Sequence, residues 1–295
     1  MCATTIRLSA DPLSIGCYRQ RIAYYNGEIC FSTKNNVRIG SETFIDKYPV
    51  YDMKTFKDSL VFINGNGTVH QYKNGSVQEN PNVGHPGIFA GITLTESYII
   101  AAHDLSHKLR VIDGISFETI STIPVPGLFH GLATVKADTI AAIDDRTISI
   151  IDTRDPSSIE RSSVISSQPV TIFCHDSNLY VACDDRKLRI YDMRRLKTPL
   201  TTTKPASKNG TAALWTNDGK NIVSVGTDES MTLVELEKDI GQFKRSKYLA
   251  ESPWISSPLA IDNDFACLTR GGFMHKFNNI VSFLKSQQES NEDDE

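Results

Sequence analysis

Ile140-Ala-Ala-Ile-Asp-Asp-Arg-Thr-Ile-Ser-Ile-Ile-Asp-Thr-Arg154 and Tyr180-Val-Ala-Cys-Asp-Asp-Arg-Lys-Leu-Arg-Ile-Tyr-Asp-Met-Arg194 lie 40 residues apart and align without a gap. Seven of the fifteen positions are identical: Ala142, Asp144, Asp145, Arg146, Ile150, Asp152 and Arg154 match their partners. A match at a fixed period marks a repeat architecture, which decides the fold before any single element does. In each copy an apolar run meets an Asp-Asp-Arg turn and resumes as an alternating run. Alternation at period two between turn residues is what half-buried strands require.

The same period extends in both directions. Gly87-Ile-Phe-Ala-Gly91 and Gly127-Leu-Phe-His-Gly131 are also 40 apart, each before a strand-like run. Alternating runs end at residues 31, 72, 112, 151, 191, 235 and 277, with spacings of 41, 40, 39, 40, 44 and 42. Seven units of about four short strands fill the chain, and no unit carries a helical segment. Strands repeated in this way pack radially, which predicts an all-β, seven-bladed β-propeller over residues 1–285. The last unit offers three good strands (258–262, 265–269 and 272–276), while residues 4–8, Thr-Thr-Ile-Arg-Leu, have no unit of their own. Pairing that N-terminal strand with the last blade covers an edge and closes the propeller.

Composition agrees with a globular chain: 40 % hydrophobic and 22 % charged among 295 residues. The net charge of −4 sits in residues 289–295, which hold five acids and no base, so the rest carries +1. Residues 286–295 are expected to form a disordered acidic tail. A nearly neutral body lacks the basic field of a dedicated nucleic-acid site. The first residues lack the features of a signal peptide, and no apolar run reaches membrane-spanning length. The expectation is a protein of the cytoplasm and/or nucleus. Six scattered cysteines form no C-x-x-C pair, and Cys30, Cys183 and Cys267 fall in strand-like runs, as buried thiols do.

These units resemble the WD-repeat family. Gly84-His85 opens the third unit as that family's Gly-His pair does, and units three to five end in Ile112-Asp113, Ile151-Asp152 and Tyr191-Asp192, where the family prefers Trp-Asp. Asp145 and Asp185 occupy the place of its tight-turn aspartate. There is no Trp-Asp pair, and unit two has Asn64-Gly-Asn-Gly67 at its hairpin. Units five and six, with Val234-Glu-Leu236 and Lys244-Arg-Ser-Lys-Tyr248, are slightly similar to the spindle-checkpoint and mRNA-export propellers, although the order of units differs.

The resemblance implies a non-catalytic scaffold for protein-protein interaction, one subunit of a larger complex. The alternatives are a ubiquitin-ligase substrate receptor and a propeller enzyme with a site over the central channel. It also implies that the b–c turns share a face with the loops entering each inner strand. Arg146, Arg186 and Arg270 fall at corresponding b–c turns, and those loops contribute Phe89, Phe129, His130 and Trp254. Arginine forks beside aromatic planes suit an acidic or phosphorylated peptide. Arg146 and Arg186, on consecutive units, are expected to be neighbours. Asp152-Thr-Arg154 and Asp192-Met-Arg194 are similar to the D-x-R ending that docks onto a ligase adaptor, and they equally suit a salt bridge at a strand end.

No catalytic or nucleotide motif occurs in a suitable context, so no catalytic residue, metal or cofactor is expected. His103 and His107 flank Asp104 without a third ligand nearby, which fits a solvated hairpin. His175-Asp176 lies at a turn without a nucleophile motif. Asn66-Gly-Thr68, Asn74-Gly-Ser76 and Asn209-Gly-Thr211 match the glycosylation sequon, but Asn-Gly is also the preferred pair for tight hairpins, the reading taken here.

Overall fold

The computed structural model describes residues 3–8, 21–81, 90–103, 107–125, 127–155, 159–161, 165–203, 211–216, 218–226, 228–236, 243–251, 254, 259–261 and 264–292. They form seven four-stranded antiparallel sheets, the blades of a seven-bladed β-propeller. The chain divides into two compact units, residues 19–166 and residues 1–18 with 167–295. The second unit opens with β1 (Ala3–Arg7).

Residues 19–166 hold four blades. The first is β2 (Ile22–Tyr25), β3 (Glu28–Thr33), β4 (Asn36–Ile39) and β5 (Glu42–Ile45), and the next is β6 (Val50–Phe56), β7 (Ser59–Asn64), β8 (Val69–Lys73) and β9 (Ser76–Asn80). Then come β10 (Ala90–Leu94), β11 (Tyr98–His103), β12 (Lys108–Asp113) and β13 (Thr119–Pro124), followed by β14 (Phe129–Lys136), β15 (Thr139–Asp144), β16 (Thr147–Asp152) and β17 (Ile159–Arg161).

The second strand of a blade carries a run of apolar residues for a physical reason. In β7 every residue is buried; Leu60 and Phe62 join a core with Tyr25, Cys30 and Met53, while Val61 and Ile63 join one with Ile99, Ala101 and Ile112. Successive side chains point to opposite faces, and both faces are covered by neighbouring blades. In β11 likewise, Ile99 and Ala101 face one core and Ile100 and Ala102 the next. Outer strands such as β9 and β13 are largely exposed and polar. At one contact between blades there is no room for a side chain. A Cβ on Gly114 would lie 2.3 Å from the Phe56 ring and 2.8 Å from the Ser97 carbonyl.

The Asn-Gly reading of the turn at residue 74 holds. Asn74 and Gly75 have φ of 51° and 78° between β8 and β9, the two positive values of a tight hairpin. At residue 66, the Asn64 side-chain oxygen accepts the Asn66 and Thr68 N–H groups at 3.0 and 3.1 Å. Asn209 lies outside the described residues.

The other unit holds three blades. They are β18 (Pro169–His175), β19 (Asn178–Cys183), β20 (Leu188–Asp192) and β21 (Thr201–Thr203); β22 (Thr211–Thr216), β23 (Asn221–Gly226), β24 (Ser230–Leu236) and β25 (Phe243–Leu249); and β26 (Leu259–Ile261), β27 (Asp264–Leu268) and β28 (Phe273–Asn278) with β1 as its fourth strand. The expected closure is present: β1 runs antiparallel to β28 from Ala3 opposite Phe277 to Arg7 opposite Phe273.

One element departs from the strand-only expectation. Helix α1 (Ile280–Glu292) begins directly after β28 and crosses the boundary expected at residue 285, beyond which the sequence suggested a disordered tail. Ile280, Phe283 and Leu284, at helical spacing, bury against Val223, Leu233, Trp254 and Phe277. This apolar stripe anchors the helix; side chains beyond Ser286 are not described.

Candidate functional site

Arg146 follows Asp145 in the two-residue turn between β15 and β16, where Asp145 takes the left-handed conformation at φ 45°, and the Arg146 side chain is exposed. Its carbonyl accepts the Ile165 N–H at 2.6 Å, which fixes the turn. Asp145 receives the Leu128 N–H at 3.2 Å, and its carboxylate lies 3.9 Å from His130 Nε2. A Cβ on Gly127 would lie 2.3 Å from that carboxylate, so a larger residue there would push the Asp145 side chain aside. His130 is thus gathered at the Arg146 turn, within one unit. The Phe129 side chain and all of Phe89 lie outside the described residues.

Arg186, at φ 63°, is exposed on the turn between β19 and β20. Here the aspartate has a stronger anchor than its sequence match suggests. The Asp185 carboxylate receives both Arg189 amino groups, at 3.0 and 2.6 Å, and the Lys187 N–H at 3.1 Å. The Arg189 side chain is only 7 % exposed, and its hydrogen bonds hold the Asp185 carboxyl down at about 2. Arg270, also exposed, occupies the turn between β27 and β28, where Gly272 N–H donates to the Thr269 carbonyl at 3.1 Å.

Trp254 requires a correction. It is fully buried, its indole N–H donates to the Glu229 carbonyl at 2.9 Å, and its ring meets His275 edge-on at 5.1 Å. A ring sealed in the core with its one donor satisfied cannot anchor a partner. His103 is also buried rather than solvated, with Nε2 3.2 Å from the Gly65 carbonyl. No cluster of three metal-ligating side chains occurs among the described residues. Cys30, Cys183 and Cys267 are buried, and burial pushes the Cys30 and Cys183 thiols up to about 11.

Sequence reasoning missed two acid–histidine networks, one in each unit; both histidines and Asp46 are buried, while Glu251 is exposed. In residues 19–166, Asp46 lies 2.8 Å from His70 Nε2 and accepts Asn64 Nδ2–H at 3.0 and 3.1 Å. In the other unit, Glu251 lies 2.7 Å from His275 Nε2 and accepts the Thr269 hydroxyl at 2.5 Å. The signal was present: in both, the acid precedes the Asn or Thr by 18 residues and the histidine by 24. The acid comes from the loop before a blade, the Asn or Thr from the end of its second strand, and the histidine from its third.

Burial pushes the Asp46 and Glu251 carboxyls up, but their hydrogen bonds outweigh it and leave both lowered. The main donors are His70 and the Tyr48 amide for Asp46, and the Thr269 hydroxyl for Glu251. Burial lowers His275, and Glu251 only partly offsets this. This lowering favours the neutral ring, in the tautomer whose Nε2–H donates to the carboxylate. Nδ1 is left to accept from Thr5, 3.3 Å away, or Tyr248, 3.4 Å away. The Glu251–His275–Thr5 chain has the order of a catalytic triad, but the His275 side chain is 3 % exposed inside a β-sheet.

A pH dependence follows, and its sign is the same for all three groups. Lowered carboxyls stabilise the fold above their ordinary range near 4, and a lowered histidine stabilises it above about 6.5. Acidification from pH 7 to 2 is expected to lower the melting temperature, first through His275 below about pH 6.5 and then through Asp46 and Glu251 below about pH 4. Replacing His275 by Gln should flatten the pH 5–7 segment in calorimetry; an unchanged slope would rule out His275 as its source.

No family model and no curated protein sequence matches the chain. Solved structures do. A computationally designed protein, Ika8, is similar with a TM-score of 0.67 at 12 % identity, over 87 % of this chain and 82 % of its own. A chain of the mitotic checkpoint complex is similar with a TM-score of 0.78 at 11 % identity, over 94 % of each. At these identities the likeness is one of fold: the chain is a seven-bladed β-propeller.

Proposed function

We propose that this chain is a divergent propeller of WD-repeat type that works as a non-catalytic interaction scaffold, one subunit of a larger assembly in the cytoplasm or nucleus. The observation that carries the reading is the pair of turns at Asp145-Arg146 and Asp185-Arg186. Each presents an exposed arginine on a backbone pinned by hydrogen bonds, which suits capture of an acidic or phosphorylated peptide at little entropic cost. The fold shared with a chain of a multi-protein complex is consistent with this role.

Two other readings have weaker support. The Arg154 and Arg194 forks are each closed on their own carboxylates, Asp152 and Asp192, at 3.0 and 2.7 Å, which favours strand-end salt bridges over an adaptor contact. The shielding of His275 argues against a hydrolytic triad.

The test is charge reversal. Arg146→Glu and Arg186→Glu, singly and together, are expected to abolish recovery of the partners that co-purify with the full chain. Melting should stay within about 2 °C, because exposed turn substitutions cost little. Unchanged partner recovery by the double variant, read by mass spectrometry, would reject each of these turns as a partner contact.

A further inference from the structure

A cavity of about 670 Å³ opens in the unit of residues 19–166, at the turns joining first to second and third to fourth strands. Its walls include Lys57, Asp58, Gln71, Lys73, Gln78 and Ile115. Arg146, by contrast, sits at a turn joining a second strand to a third. We propose that this cavity docks an extended peptide segment of a partner protein, one that carries an Asp or Glu beside a bulky aliphatic residue. The inference stands independently of the arginine turns.

Charge complementarity selects the acidic residue. The lining has two ammonium groups against one carboxylate, and Lys73 is spent on Asp58 at 2.6 Å. Lys57 supplies the surplus charge, held 5.2 Å from the centre of the Phe56 ring. The nearby Asp113 accepts the Ile115 and Ser116 N–H groups through one oxygen, at 2.9 and 2.7 Å, and stands within the field of Lys57, so this lysine is shared with a carboxylate just outside the lining. Lys57 is also held in the left-handed conformation, at φ 52°, a strained arrangement for a lysine.

The aliphatic residue is selected by Ile115. At 85 % exposure it is the most exposed large hydrophobic side chain among the described residues, and it stands at the wall of this cavity. A single exposed isoleucine is unremarkable on a surface; beside a concavity of ligand-binding size it offers apolar area that a bound side chain would cover. The extended form is selected by β9. It is the outermost strand of its sheet and carries Gln78 into the lining, so its edge before Asn80, whose carbonyl accepts Arg110 Nη1 at 3.3 Å, can accept a peptide backbone in strand pairing.

The test uses the full chain and two fluorescein-labelled synthetic peptides in an anisotropy titration. The acidic probe is acetyl-Ser-Asp-Asp-Leu-Glu-Ile-Ser-amide, and its twin replaces every Asp and Glu by Asn and Gln. The acidic probe should saturate below about 1 mM and bind at least about tenfold more tightly than its twin. Lys57→Asn removes the charge while keeping a residue that tolerates positive φ, and it should weaken binding about tenfold without moving the melting temperature. Ile115→Asp should weaken it comparably, and Arg146→Glu should leave it unchanged. The proposal is overturned by absence of saturable binding, by equal affinity for the twin, or by full affinity in both Lys57→Asn and Ile115→Asp. Loss on Arg146→Glu with no loss on Lys57→Asn would move the site to the arginine turn.

Discussion

Removing residues 1–10 is expected to lower the melting temperature by about 10 °C. The exposed side chains of Thr4 to Arg7 bury little, so the contribution of β1 lies in its backbone ladder with β28. About four or five such bonds at roughly 1 kcal/mol each give about 4–5 kcal/mol, and a chain of this size shifts by about 2 °C per kcal/mol. Two side-chain contacts add to the ladder: the Thr5 hydroxyl at 3.3 Å from His275 Nδ1, and the Arg7 guanidinium 5.7 Å from the Phe273 ring centre. The truncated protein should also aggregate, since β28 then presents an open edge. A synthetic peptide of residues 1–10 should recover part of the loss in trans. Identical melting curves for the full and truncated chains would refute this account.

Gly114→Val is expected to destabilise the fold by at least about 3 kcal/mol, measured by urea titration. The added Cβ would meet two ring carbons of Phe56 at 2.3 and 2.4 Å and a backbone oxygen at 2.8 Å, none of which is a flexible chain end. Phe56 is 4 % exposed and packs with Val61, Ile63, Ile112 and Phe117, so the ring cannot turn away without opening that core. Phe56→Leu should relieve part of the clash, so the double variant should lose less than the sum of the two single losses. A Gly114→Val chain with an unchanged urea midpoint would show that the contact relaxes freely.

The architecture was legible because the 40-residue period, the turn residues and the alternating runs all agree on it. The N-terminal closure was also legible, from a strand without a blade and a blade without a strand. The helix was not. Ile280, Phe283 and Leu284 follow the last strand directly, and their helical spacing is only three positions long among polar residues. Trp254 was misplaced because its neighbours in the sequence look like a surface loop; only the Glu229 carbonyl and the His275 ring, distant along the chain, explain its burial. The buried histidine networks carried a signal at a separation of 24 residues, which neither the 40-residue repeat nor local motif spacing samples. Arg146 and Arg186 were correctly placed on exposed turns because local Asp-Asp-Arg chemistry sets those turns by itself. The cavity beside Lys57 had no signal at all, since it is assembled from turns of two blades.

The strand pairing of β1 with β28 has a consequence in time. Thr5 and His275 are 270 residues apart, so a ribosome working at about 5–20 residues per second needs roughly 15–50 s between them. Throughout that interval the earlier blades can form, while β1 waits with its ladder unmade. The earliest piece of the propeller to be synthesised is thus among the last to be used. A nascent chain stalled before residue 273 should hold residues 1–10 open to protease, and release past residue 278 should protect them.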